Sequence, residues 1–150
     1  MAIDIHFNKT KGYFDFDFAS NGDFETTAGL DTALLMSIYV DKRAEASEIP
    51  APQMRRGWWG NLVGSYINYQ IGSKLWLLMQ ARRNNVTLNL AKTYAFDCLQ
   101  WLTEDQLATR INVTDNFLNN ALELKITIYK GQSIVFSNAY ILWFNTEEVQ

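Results

Sequence analysis

The chain has 150 residues and a mass of 17.3 kDa, with 48% hydrophobic and 19% charged residues. A chain this long can bury about 70% of the surface it exposes when unfolded, so one domain can fold without disulfides or metal. The composition is globular, and a net charge of −3 with a pI of about 5.1 excludes a generally basic nucleic-acid binder.

Counting removes further classes. Cys98 is the single cysteine and His6 the single histidine. An internal disulfide, a zinc-ligand cluster and any two-histidine site are therefore excluded. There is no Gly-rich phosphate loop and no G-x-S-x-G elbow. The N-terminal stretch lacks a basic region followed by an apolar core, and no apolar run approaches the roughly 20 residues that span a bilayer. A soluble protein made in a reducing cytoplasm is expected, with no cofactor, no nucleic acid and no membrane partner.

Residues 1–28 read as β. Ile3, Ile5 and Phe7 alternate with Asp4, His6 and Asn8, and Phe14, Phe16 and Phe18 alternate with Asp15 and Asp17. Turns are expected at Asn8–Gly12 and at Asn21-Gly22. Residues 30–44 predict a helix with a broad stripe of Leu30, Leu34, Leu35, Met36, Ile38, Tyr39 and Val40. Asp31 in its first turn and Lys42 and Arg43 in its last would suit the helix dipole.

Residues 45–71 break the periodicity and predict a long loop. It holds Pro50, Pro52, Gly57, Gly60 and Gly64, and the densest cluster of aromatic and basic side chains: Arg55, Arg56, Trp58, Trp59, Tyr66 and Tyr69. Ser73 can cap a helix from Lys74 to about Arg83, and Thr87 a second from Leu88 to about Leu102. The face of that second helix is Leu88, Ala91, Ala95, Cys98 and Leu102. Thr103-Glu104-Asp105-Gln106 has capping-box spacing and predicts a fresh short turn of helix. Strands follow at 109–114, 121–130 and 133–144, the last expected to bulge near Ser137-Asn138. Leu122, Leu124, Ile126 and Ile128 should face inward, and Glu123, Lys125 and Thr127 outward. The expected fold is α+β: a single domain over 1–150 with N-terminal strands, three main helices and a C-terminal antiparallel hairpin.

The strongest local feature is Arg55-Arg56-Gly57-Trp58-Trp59-Gly60. Tryptophan and arginine dominate interface hot spots because they join large desolvated area to directed donors. The same residues can instead cover the core, with the arginines stacked on the rings. The two readings stand level on physics, with single-strand nucleic-acid stacking a minor third. Asp15, Asp17, Asp23 and Glu25 lack cation-loop spacing and read as a solvated strand face. Glu104-Asp105 are adjacent, whereas glycosidase carboxyls flank a bond at a set separation, so capping explains them better. His6 reads as a surface residue, and Cys98 as a buried, inert thiol.

Four strings carry a family resemblance: Gly29 to Ala44, Arg56-Gly57-Trp58-Trp59-Gly60, Ile71 to Leu78, and Tyr94-Ala95 with Leu99-Gln100-Trp101-Leu102. In order and spacing they resemble the signatures of the Mu-like phage baseplate wedge proteins, from about residue 15 to the C-terminal strands. That family is similar to the small wedge protein of other contractile tails, historically called lysozyme-like, and to its type VI secretion counterpart. The resemblance implies a fold like the handshake domain of sheath subunits. It also implies a non-enzymatic role in the virion, joining the baseplate wedge near the hub and initiating the tail sheath. Implied partners are other wedge proteins, the sheath, and hub or tube proteins, in a symmetric multi-copy assembly. Asn61 stands where the family often has an acid, which removes an ion pair there, and Gln106 where it often has glycine, which alters a turn.

The expected partner interface is Arg55, Arg56, Gly57, Trp58 and Trp59, with Lys125 and Thr127 on a sheet to which a sheath strand is added. The arginines would offer planar donors to a wedge partner, and a buried Trp59 would cost about 3–5 kcal/mol of fold stability on truncation. The rival classes are a peptidoglycan glycosidase and a small carbohydrate-binding module using exposed tryptophans. With no separated carboxylate pair, purified protein should release no muropeptides from murein. Release abolished by one Asp or Glu substitution would overturn the structural reading.

Overall fold

The computed structural model describes residues 3–5, 7–10, 13–16, 18–23, 26–28, 30–50, 53–63, 70–79, 81–119 and 121–143. Of these, 3–5, 7–10, 13–16, 26–28 and 143 are described as backbone only. His6, Pro52, Gly64, Tyr66, Tyr69 and residue 144 lie outside that set, as do the side chains of the alternation expected over 3–17.

The N-terminal β reading holds in part: Asn8, Lys9 and Thr10, expected in a turn, lie in a strand. Strands β1 (Ile3–Ile5) and β4 (Thr26–Ala28) pair antiparallel, and β2 (Phe7–Thr10) pairs antiparallel with β3 (Tyr13–Phe16). The Asn21-Gly22 turn forms as expected, with the Gly22 N–H on the Ala19 carbonyl at 2.9 Å and Asn21 Oδ1 accepting from the Asp23 N–H.

Helix α1 runs only over Asp31–Tyr39, five residues short of the expected end. Val40 is extended (φ −73°, ψ 137°), and the chain beyond it pairs with other segments. Lys42 and Arg43 therefore lie outside the helix. Tertiary pairing wins over local periodicity here. Within α1, Leu34 and Ile38 are buried, and Ser37 donates to the Ala33 carbonyl while accepting from the Trp101 indole at 3.1 Å.

A short helix α2 (Gly60–Val63) falls inside the expected loop. The helix expected at 74–83 is a single 3-10 turn, Leu75–Leu78. The Ser73 hydroxyl donates to the Ile38 carbonyl at 2.6 Å and accepts from the Leu75 N–H, so it serves a tertiary contact besides its local one. Helix α3 (Asn85–Leu99) is capped by Asn84, whose Oδ1 accepts from the Thr87 N–H at 2.9 Å. Thr87, the expected cap, sits one turn inside and donates to the Arg82 carbonyl. Ala91, Ala95, Cys98 and Leu99 form the buried face of α3. Desolvation, reinforced by the Asp97 charge, pushes the Cys98 thiol up to about 12, the inert state expected of it.

Helix α4 (Trp101–Glu104) contains Thr103 instead of starting from it, and the Thr103 hydroxyl donates back to the Gln100 carbonyl. The helical run ends at Gln106, which takes a left-handed φ of 58°, while the Leu107 and Ala108 N–H groups close on the Leu102 carbonyl.

The C-terminal part is a three-stranded antiparallel sheet in the order β5 (Arg110–Leu118), β6 (Ala121–Lys130), β7 (Ser133–Trp143). β5 starts one residue later than the expected strand and ends four residues beyond it, because its pairing with β6 continues to Leu118↔Ala121. The bulge sits where Ile128↔Phe136 gives way to Tyr129↔Ile134, so Val135 is the extra residue, not Ser137 or Asn138. Leu122, Leu124, Ile126 and Ile128 face inward and join Leu34, Ile38, Leu75, Leu78, Leu99, Leu102, Ile111 and Tyr140 in one core. Thr127, expected outward, is buried. It lies on the central strand between Asn112 and Ser137, and its hydroxyl is 3.3 Å from that of Ser137. One layer of helices on one face of an antiparallel sheet is the α+β arrangement expected.

The left-handed Gln106 occupies the position where the resemblance places glycine. An L-residue there costs about 1–2 kcal/mol, partly offset by the lower chain entropy of a non-glycine when unfolded. Gln106→Gly should raise stability by about 0.5–1 kcal/mol, read as a higher urea midpoint at constant m-value. A lower midpoint would show that the Gln106 side chain is needed at this turn.

Candidate functional site

After α1 the backbone of residues 40–44 is extended and is engaged on both sides. On one side it bridges Ser73 in parallel: the Ser73 N–H donates to the Val40 carbonyl at 2.8 Å and the Lys42 N–H to the Ser73 carbonyl at 2.9 Å. On the other it meets the arginine–tryptophan loop running antiparallel: the Ala44 N–H donates to the Arg55 carbonyl at 3.0 Å and the Trp58 N–H to the Asp41 carbonyl at 2.9 Å. The first three strings of the family resemblance thus meet in space as three adjacent segments.

Side chains lock this arrangement. Arg55 Nε donates to the Ala44 carbonyl at 2.6 Å, and its guanidinium also reaches Glu45. Arg56 forms an ion pair with Asp41 and lies 4.9 Å from the centre of the Trp76 ring, whose own Nε1 donates to the Lys42 carbonyl at 2.9 Å. The Asn61 amide brackets Ile71, donating to its carbonyl at 2.8 Å and accepting from its N–H at 3.0 Å. Lys74 pairs with Glu48 at 2.9 Å. Burial pushes the Glu48 carboxyl up, but the Glu45 N–H and the Lys74 and Arg55 charges outweigh it and hold it below the usual range. At Asp41 burial wins over Arg56 and the carboxyl is raised.

Two glycines are required by this geometry. Gly57 has φ 109°, and a Cβ there would meet Arg43 Cβ at 2.8 Å. A Cβ on Gly60 would meet the Trp58 ring at 2.4 Å, so the half-buried Trp58 packs directly over that glycine. Arg56 itself adopts φ 46°, a left-handed conformation that its ion pair and ring contact help maintain.

The reading in which the loop packs within the chain applies to Arg55, Arg56 and Trp58. Arg55 and Arg56, expected as donors to a partner, are engaged inside the chain. Trp58 covers Gly60, and Trp59 points outward with its ring 5.9 Å from that of Trp58. Lys125 and Thr127 belong to a different element, the middle strand of the sheet, where Lys125 is exposed and Thr127 buried. Asp41 and Trp76 complete the loop frame without having been singled out, and Asn61, which the sequence marks only as a departure from the family's acid, completes it by bracketing Ile71. Their only signal was membership of, or adjacency to, the recurring strings. Among the described residues no group of three or more His, Cys, Asp or Glu is placed to hold a metal ion.

A family model described as phage protein GP46 matches residues 30–134. The chain is 34% identical over 126 residues to the baseplate protein gp46 of Escherichia phage Mu, covering 80% of this chain and 85% of that protein. It is 36% identical over 84 residues to the Mu-like prophage FluMu protein gp46 of Haemophilus influenzae, covering 56% and 55%. The chain belongs to this Mu-like family of phage baseplate proteins.

The ion pair gives an unequal pair of mutational outcomes. Arg56→Ala strips the counter-charge from a partly buried Asp41 and uncovers Trp76, whereas Asp41→Asn keeps an acceptor and removes the charge that burial disfavours. Arg56→Ala should lower stability by about 1 kcal/mol or more and Asp41→Asn by less, measured by chemical denaturation. Because the folded carboxyl of Asp41 is raised, its contribution to stability falls as pH rises through the carboxylate range, and Asp41→Asn should remove that component.

Proposed function

We propose that the chain is a structural component of a contractile-tail baseplate that joins wedge proteins near the hub and initiates the sheath by accepting a strand on its C-terminal sheet. The observation that carries this reading is the inequality of the two sheet edges. On β7 the Ala139 N–H turns away from β6 to Asn138 Oδ1 at 2.8 Å, and the Ile141 N–H is bonded to the Tyr39 hydroxyl. With the bulge at Val135, that edge is blunted by Asn138 of β7 itself and by Tyr39 of α1.

Alternation of backbone direction then fixes the other edge. If Ala139 and Ile141 point outward, their partners Lys125 and Glu123 point their backbone groups toward β5. Thr114 and Asn116 on β5 face them, so Ile111, Val113 and Asp115 turn their backbone groups outward. Among the described residues nothing caps those groups. An open edge beside a blocked one supports strand addition at β5. Lys125 and Thr127, on the central strand, contribute to the face of such a sheet and not to its edge.

The test is a disulfide scan in purified, oxidised tails. Cysteines placed along the sheath termini should cross-link to Thr114→Cys on β5 and not to Ala139→Cys on β7. Cross-links to neither, with both variants incorporated, would end the strand-addition reading. Cross-links only at Ala139→Cys would move the added strand to β7.

A further inference from the structure

The four most exposed large apolar side chains of the described residues fall within ten positions: Met54 (84%), Trp59 (70%), Leu62 (71%) and Val63 (72%). They stand on a frame that is held, not loose. Trp58 packs on Gly60, Asn61 brackets the Ile71 backbone, and Arg55 and Arg56 are tied to the Ala44 carbonyl and to Asp41. The indoles of Trp76 and Trp101 each donate to an acceptor within the chain. The Trp59 N–H has no acceptor among the described residues. A water-facing tryptophan on a fixed frame, beside Leu and Val, is a preorganised anchor: little conformational entropy remains to be lost on docking.

Charge states what the anchor fits. Arg55, Arg56 and Lys74 are paired with Glu45, Asp41 and Glu48, which leaves Lys42 and Arg43 in excess over residues 41–79, a locally positive stretch in a chain whose net charge is −3. Arg43 is exposed directly against Gly57, at the base of the loop. We propose that Met54, Trp59, Leu62 and Val63 seat in an apolar, acid-rimmed pocket on a different protein of the baseplate, with an oxygen acceptor for the Trp59 N–H. Arg55 and Arg56 are positioning residues that hold the anchor out. This docking is independent of strand addition to the sheet and uses another part of the molecule.

The experiment places a benzophenone amino acid at Gln53, exposed beside Met54 and outside the anchor, in assembled baseplates and identifies the cross-linked peptide by mass spectrometry. A cross-link to an Asp- and Glu-rich segment of another baseplate protein is expected. A cross-link to a second copy of this chain, or to nothing, would overturn the proposal. In parallel, Trp59→Ser and Val63→Ser should keep the wild-type unfolding midpoint and incorporate at least about thirtyfold less well, the loss a hot-spot residue gives. Wild-type incorporation of both folded variants would also overturn it. Should either variant fail to fold, the cross-link at position 53 decides alone.

Discussion

The two-sided pairing of residues 40–44 is the constraint from which the rest of the loop architecture follows. One extended segment satisfies backbone groups of both the arginine–tryptophan loop and the Gly72–Ser73 turn. To reach that position the chain must leave α1 at Tyr39, although the apolar stripe continues. Once it has done so, Asp41 faces Arg56, the Lys42 carbonyl faces Trp76, and the Ala44 carbonyl faces Arg55. Three unlike polar contacts are thus consequences of one backbone placement. Buried backbone groups must be paired, and side-chain donors fill the positions that no strand reaches.

The same logic operates at the sheet. β6 has neighbours on both sides and carries most of the buried aliphatics, so it behaves as the core strand. β7 is an edge strand, and α1 closes part of it through Tyr39. Burial pushes that phenol up to about 12, so it remains protonated at any ordinary pH, and its oxygen accepts from the Ile141 N–H. Its ring meets Tyr140 edge-on at 5.9 Å. One side chain therefore joins the helical layer to the sheet and occupies an edge donor that would otherwise be available for mispairing.

Legibility followed the range of the interactions. β6 was readable to the residue, because strict alternation over ten positions has few competing explanations. The face of α3 and the inert Cys98 were readable for the same reason. Helix ends were not: Val40 continues the stripe of α1, and only Ser73, distant in sequence, explains its extended backbone. Asn84 and Thr87 are both good caps, and no local signal ranks them. Thr127 looked outward by parity, but parity ignores that a central strand is covered by its neighbours. In the loop, composition marked a cluster of arginines and tryptophans but not that the arginines are paired within the chain. Arginine reads as a donor to a partner until Asp41 and the Ala44 carbonyl are known to lie beside it.

That division has a physical reason. A guanidinium exposed at a loop tip loses rotamer freedom and hydration when it docks, whereas one already paired with Asp41 and laid on Trp76 has met those costs during folding. An indole has two torsions and a large apolar face, so presenting it outward loses little and gains much on burial. A structural protein in a crowded assembly also needs specificity that a strand edge alone supplies poorly, because main-chain hydrogen bonds are common to all sequences. The proposed side-chain anchor on a fixed loop would supply that selection, since a mismatched pocket leaves apolar surface wet or a charge unpaired. Substitutions at Arg55, Arg56, Gly57 and Gly60 then act on the frame and register as stability. On the docking proposed for this loop, substitutions at Met54, Trp59, Leu62 and Val63 leave the frame intact and act on which surface the chain joins.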